Sequence, residues 1–188
     1  MRVCVFAGAS LGKSPAYAEA ARELGAEIAR RGLGLVYGGA SVGLMGLCAD
    51  AALAGGGEVI GVLPEALSNR EIAHRGLTDL RLVGSLHERK ALMGELSDAY
   101  VVLPGGTGTL DELFEAITWA QLGLHARPIG ILDTDGYWAP LFTLLGHMHD
   151  EGFVRGVRLV KAAQAADLLD GLRRAPAPTP PETPAPIP

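Results

Sequence analysis

The chain reads as a doubly wound, Rossmann-like α/β protein of three layers, with a parallel sheet between two layers of helices. Strand-type runs at 2–6, 33–37, 58–63, 80–83, 99–103 and 128–133 alternate with helical patterns, which is the order that builds βαβ units. Several of these runs are apolar at nearly every position instead of alternating, as strands buried on both faces are. Glycine-rich turns follow the first, second and fifth runs. In an open α/β sheet that is where ligands bind, beyond the carboxyl ends of the strands.

The elements follow in order from local chemistry. After Arg2 to Phe6 comes Gly8-Ala9-Ser10, and then Ser14-Pro15 supplies an N-cap and an N1 proline for a helix to Arg31 that Gly32 stops. The second run leads into Gly38-Gly39-Ala40-Ser41-Val42-Gly43-Leu44-Met45-Gly46. Ser85 and Glu88 form an S-x-x-E capping box for a helix to about Ser97. Counting from Arg89 by three and four gives Leu92, Met93 and Leu96, so the guanidinium projects from an apolar stripe. A structural ion pair, a stem that snorkels to solvent and a ligand-facing cation all fit that position.

With 188 residues, residues 1–174 are expected to form one Rossmann-like domain with a sizeable core. From Ala175 to Pro188 the sequence is dominated by proline, which excludes helix and sheet and predicts a solvated, polyproline-II-like or disordered tail. A net charge of −5 opposes a nucleic-acid partner, which needs a concentrated basic face. The start, Met1-Arg2-Val3-Cys4-Val5-Phe6, has no signal-peptide pattern, and no apolar run approaches a membrane span. A cytoplasmic protein with no membrane partner is expected. Cys4 and Cys48 then read as reduced core residues. The five histidines lack ligand spacing, so no metal site is expected.

The segment Leu103-Pro104-Gly105-Gly106-Thr107-Gly108-Thr109-Leu110-Asp111-Glu112 is the most informative. It joins an apolar strand, Ala99 to Leu103, to a helix with Leu110, Leu113, Phe114 and Ile117 at helical spacing. A glycine turn there lets backbone N–H groups approach an anion at a helix N-terminus. It lacks the lysine of a Walker A loop, and Asp111 stands where a dinucleotide fingerprint needs a third small residue. An ordinary capping box formed by Thr109 and Glu112 fits the spacing equally well.

Read as a pattern, P-G-G-x-G-T-x-x-E is present in full from Pro104 to Glu112, with His87-Glu88-Arg89-Lys90 and Tyr37 to Gly46 upstream. The chain resembles the Lonely Guy family, the cytokinin riboside 5'-monophosphate phosphoribohydrolases, whose relatives often carry the label "lysine decarboxylase". The resemblance runs from Val3 to about Val160 and includes Asn69-Arg70-Glu71-Ile72 and Thr118-Trp119-Ala120-Gln121-Leu122-Gly123. It implies hydrolysis of the N-glycosidic bond of adenosine 5'-monophosphates, plain or N6-substituted, to free base and ribose 5-phosphate, without a cofactor and by at least a homodimer. It makes Arg89 and Glu112 catalytic, assigns Gly105, Gly106, Thr107, Gly108 and Thr109 to the phosphate, and matches Glu71, Lys90 and Thr118 to further substrate contacts. Ala9 and Ala40 depart from a common serine and glycine, and both are small enough to keep close approach to a ligand.

Chemistry agrees with those roles. Breaking the bond from ribose C1' to a purine nitrogen builds oxocarbenium charge on the sugar, and a carboxylate beside C1' can stabilise it and orient or deprotonate water. Glu112 is the candidate. A pyridoxal-phosphate decarboxylase would need a Schiff-base lysine among Lys13, Lys90 and Lys161. The alternative from another class, a non-catalytic nucleotide or cofactor carrier, would keep the glycine loops but would not need Arg89 and Glu112 together.

Overall fold

Strands that are apolar at every position need cover on both faces, and the computed structural model of the chain supplies it. It describes residues 1–68, 73–154, 156 and 158–175. In chain order the elements are β1 (Arg2–Phe6), α1 (Pro15–Arg30), β2 (Gly34–Tyr37), α2 (Gly43–Ala54), β3 (Val59–Pro64), α3 (Glu65–Ser68) and β4 (Asp79–Val83). There follow α4 (Leu86–Glu95), β5 (Ala99–Val102), α5 (Thr107–Gln121), β6 (Ile129–Leu132), a 3-10 turn (Thr134–Gly136), α6 (Ala139–Asp150), β7 (Leu159–Ala162) and α7 (Ala165–Arg174).

Among the described residues seven strands form one parallel sheet in the order β4-β3-β2-β1-β5-β6-β7. Side chains alternate across it and divide the core in two. Val3, Val5, Leu35, Val59 and Val101 pack with Leu24 and Ile28 of α1, Ala49 and Ala52 of α2 and Leu168 and Leu172 of α7. On the other face Cys4, Phe6, Val36, Ile60 and Val102 pack with Met93 of α4, Leu113 and Ile117 of α5 and Leu141 and Leu145 of α6. This is the expected three-layer, doubly wound architecture.

The strand expected at 2–6 and the other five agree with the structure to within one residue at each end. The sequence reading missed β7, a four-residue edge strand whose Lys161 faces solvent; half-exposed edges carry no apolar run to detect. Ser14 caps α1 as expected, its hydroxyl accepting from the Ala16 N–H at 3.3 Å, and Gly32 ends it at φ +64°. The helix from Ser85 ends at Glu95, two residues short of Ser97. Both cysteines are buried and unpaired with one another. Burial pushes the Cys48 thiol up to about 12 and holds that of Cys4 well above its ordinary value, which suits core residues. No helix among the described residues is long and apolar enough to cross a membrane. Residues 176–188 of the proline-rich stretch lie outside the described residues.

The chain order reverses between β1 and β5, the switch point at which such sheets open a crevice. The loops after β1 and β5 are tied there: Leu103 N–H donates to the Phe6 carbonyl at 2.9 Å and Gly8 N–H to that of Pro104 at 3.0 Å. The turn before α2 joins them, with Leu44 N–H donating to the Gly8 carbonyl at 3.0 Å. Gly43 makes this approach at φ +64°, and a Cβ there would collide with the Ala9 backbone. Gly43→Ala is therefore expected to destabilise the protein by at least about 1–2 kcal/mol, the cost of a left-handed backbone alone. Urea unfolding measures it, and an unchanged midpoint would mean that this clasp is not tight.

Candidate active site

The helix that follows β5 begins without a side-chain cap. Gly106 is the N-cap of α5 and makes no side-chain cap bond. Thr109 is the third residue of the helix, not its cap, and Glu112 the sixth, so the capping-box explanation of T-x-x-E does not hold. Leu110 N–H is bonded to the Gly106 carbonyl at 3.0 Å. The N–H groups of Thr107, Gly108 and Thr109 belong to the first turn, which has no intrahelical acceptors. Gly106, Thr107 and Gly108 are exposed, Thr109 is buried, and a Cβ at Gly106 or Gly108 would meet nothing within 4 Å. Gly105 differs: a Cβ there would run into the Thr109 side chain and the Gly8 nitrogen. The result is an uncapped helix N-terminus opening on free space, where the helix dipole favours an anion.

Glu112 lies about 9 Å along the helix axis from the N-cap at the usual rise per residue. Helical side chains lean toward the N-terminus, which brings its carboxylate back toward the glycine turn. Arg89 meets it from α4, Nη2 donating to Oε1 at 3.0 Å, with the two side chains 19% and 10% exposed. The guanidinium also lies against the loop after β2, its Nη1 3.6 Å from where a Gly38 Cβ would be, and its Nε is buried without a partner. The sequence alternatives for Arg89 thus merge: it is an ion-pair partner whose Nη1 lies against the glycine loop after β2.

Burial pushes the Glu112 carboxyl up to about 7, and the Asp111 and Glu115 charges add to this, while Arg89 and Lys90 oppose it without prevailing. Lys90 is fastened elsewhere, its Nζ 2.9 Å from Asp111 Oδ2 and 2.8 Å from Glu115 Oε2. Burial alone would lower its proton affinity, and the two carboxylates more than reverse that. Lys161 pairs with Asp133 at 2.8 Å and lies over the Phe142 ring. An amine held charged, as that of Lys90 is, makes a poor Schiff-base nucleophile.

Other residues fall less close together. Thr118 is exposed on α5, its hydroxyl donating to the Phe114 carbonyl at 2.7 Å. It shares the Asp111 and Glu115 side of the helix, not that of Glu112. Glu71 lies outside the described residues. His125 is a core residue with Nε2 2.9 Å from the Ala116 carbonyl, burial lowering its proton affinity, and His74 pairs with Asp50 at 2.9 Å. Sequence reasoning missed Tyr137, whose hydroxyl donates to the Gly105 carbonyl at 2.6 Å. No local pattern signals that contact, because Gly105 is 32 residues away.

A carboxyl whose folded proton affinity exceeds its unfolded one stabilises the fold below its unfolded pKa, and that contribution is lost as pH rises through the folded value. Between about pH 4.5 and 7 the wild type should therefore lose stability relative to Glu112→Gln by up to about 1.4 kcal/mol per pH unit. Denaturant unfolding across that range tests it, and parallel pH profiles for the two proteins would show that Glu112 keeps an ordinary carboxylate.

Comparison with known proteins gives three findings. Residues 45–171 match the family described as "Possible lysine decarboxylase". The chain is 48% identical to cytokinin riboside 5'-monophosphate phosphoribohydrolase LOG7 of Arabidopsis thaliana over 171 residues, covering 89% of this chain and 79% of that protein. It is also 48% identical to the phosphoribohydrolase LOG of Oryza sativa subsp. japonica over 153 residues, 81% of this chain and 63% of that one. Among solved structures, the molybdenum cofactor binding protein of Rippkaea orientalis superposes with a TM-score of 0.70 at 22% identity, covering 92% of this chain and 94% of the other. That last likeness shows the fold.

Proposed function

The chain belongs to the Lonely Guy family of cytokinin riboside 5'-monophosphate phosphoribohydrolases, and from that premise we propose that it hydrolyses the N-glycosidic bond of adenosine 5'-monophosphates, plain or N6-substituted. The observation that carries the reading is the part-buried Arg89–Glu112 pair beside an uncapped helix N-terminus. The 5'-phosphate occupies the turn from Gly105 to Thr109, accepting from the free N–H groups of α5. Glu112 then stands on the ribose side of the phosphate. As the bond from C1' to the base nitrogen breaks, the electron pair leaves with the base, and the carboxylate stabilises the positive charge on the sugar. Glu112 takes a proton from the incoming water, whose hydroxyl adds to C1', and that proton passes on through solvent to the departing base nitrogen, which returns the carboxylate to its ionised form. Arg89 holds the carboxylate in place and favours its ionised form before it takes the proton. Lys90 fixes α4 against α5, while Glu71 and Thr118 are assigned to the substrate by family resemblance alone. The carrier alternative is less favoured, because curated relatives at 48% identity are named as phosphoribohydrolases.

Incubation with AMP and with isopentenyladenosine monophosphate, followed by chromatography, is expected to release free base from both. Glu112→Gln should lower the rate by about 10²–10⁴-fold, the usual worth of a positioned acid or base, with nucleotide binding largely kept. Adenosine should be a very poor substrate in kcat as well as KM, since remote phosphate binding positions the sugar. Equal kcat/KM for AMP and adenosine would make the glycine loop a structural turn and remove the proposal.

The reading extends to a homodimer. Leu122 and Leu124, 64% and 68% exposed just beyond α5, support it, as does Thr118 on the outer side of that helix. Sedimentation equilibrium should give twice the 19.5 kDa chain mass; a monomer at micromolar concentration would refute it.

A further inference from the structure

The bond from the Tyr137 hydroxyl to the Gly105 carbonyl has no part in the chemistry above, yet it acts on the one peptide of the loop that has most freedom to turn. A peptide unit is rigid and, when trans, its C=O and N–H point in opposite directions; no cis bond occurs among the described residues. The Gly105 carbonyl and the Gly106 N–H belong to the same unit. With glycine on both sides, that unit meets little steric resistance to inversion. Inverted, it would present a carbonyl oxygen where the helix N-terminus otherwise offers a donor. A hydrogen bond that holds the carbonyl on the Tyr137 side keeps the N–H on the other.

Tyr137 is itself well held. The turn before it places Asp135 at φ +53° and Gly136 at φ +71°. Its ring meets Tyr17 of α1 edge-on at 5.4 Å between centroids and Trp138 at 4.8 Å. Trp138 N–H donates to Asp133 Oδ1 at 2.7 Å, and Asp133 pairs with Lys161 of β7 at 2.8 Å. The hydroxyl is therefore presented from the β6 side of the switch point by a framework independent of the β5–α5 loop that it restrains.

We propose that Tyr137 is a positioning residue that fixes the Gly105–Gly106 peptide with its N–H toward the bound 5'-phosphate, and so sets the preference for phosphorylated substrate. This rests on the reading of the loop as a phosphate cradle. Tyr137→Phe in the full chain keeps the ring and both edge contacts and removes only the hydroxyl. Calorimetric titration with inorganic phosphate should show binding weakened about five- to tenfold, the scale of one net hydrogen bond. The kcat/KM for AMP should fall by a similar factor with that for adenosine unchanged, and the Gly106 amide resonance should shift. Unchanged phosphate affinity and an unmoved Gly106 resonance overturn the proposal. So does a lowered Tm with an unchanged ratio of AMP to adenosine kcat/KM, the mark of a merely structural tether. If the wild type binds phosphate but does not cleave AMP, the hydrolase reading fails and phosphate affinity still decides the role of Tyr137. Failure of the wild type to bind phosphate overturns both.

Discussion

Everything at the carboxyl edge of the sheet depends on three backbone segments packed against one another without side chains between them. Gly8 is bonded to Pro104, Leu44 to Gly8, and Leu103 to Phe6. A Cβ at Gly43 or Gly105 would occupy space already filled by a neighbouring loop. This contact draws the N-terminus of α5 to the switch point between β1 and β5, where no side chain is left to cap it. A missing cap costs about 1 kcal/mol in an isolated helix, and the same vacancy is what an anion fills. In the proposed function, the stability given up at the helix start becomes the source of phosphate binding.

The charges behind the loop follow a related trade. Burial makes the ionised form of Glu112 expensive, Arg89 makes it cheaper, and the balance leaves the carboxyl near neutrality in its proton affinity. A carboxylate in open water would not respond to developing charge on a sugar as strongly, because solvent would screen it. A fully neutralised salt bridge would hold its charge too firmly to accept a proton. Lys90 belongs to the same arrangement at one remove. It follows Arg89 in sequence and bridges Asp111 and Glu115, which flank Glu112 on α5. The two helices are thus locked by an outer ion pair at the very turn where the inner pair must meet.

The sheet was legible because buried parallel strands write continuous apolar runs, and Cys4, Val36, Ile60, Val102 and Ile131 all sit in such runs. The edge strand at 159–162 was not, since Lys161 interrupts its four residues and leaves no continuous apolar run. The loop and its carboxylate were legible as a pattern, but spacing could not say whether Thr109 capped the helix. Only the observed start at Thr107 decides that. Arg89 was readable as an arginine in an apolar stripe, whereas its partner, 23 residues away on another helix, depends on how two helices cross. Tyr137 was missed for the same reason: its partner Gly105 is 32 residues distant, and nothing local marks a hydroxyl that reaches for a carbonyl.

A scaffold shared at a TM-score of 0.70 with a protein named for binding a molybdenum cofactor shows how little the fold alone says of chemistry. An open helix N-terminus at a switch point suits any anionic ligand, whether it is to be carried or cleaved. Carrying asks only that the anion be held, and for that a buried carboxylate near the loop is a hindrance, since it repels the ligand's charge. Glu112 is tolerable in a carrier only if it stays protonated, and in that state Arg89 opposite it is wasted. In a hydrolase both residues have work, because the sugar becomes positive only as its bond breaks, and a carboxylate held poised by an arginine is complementary to that moment instead of to the resting nucleotide.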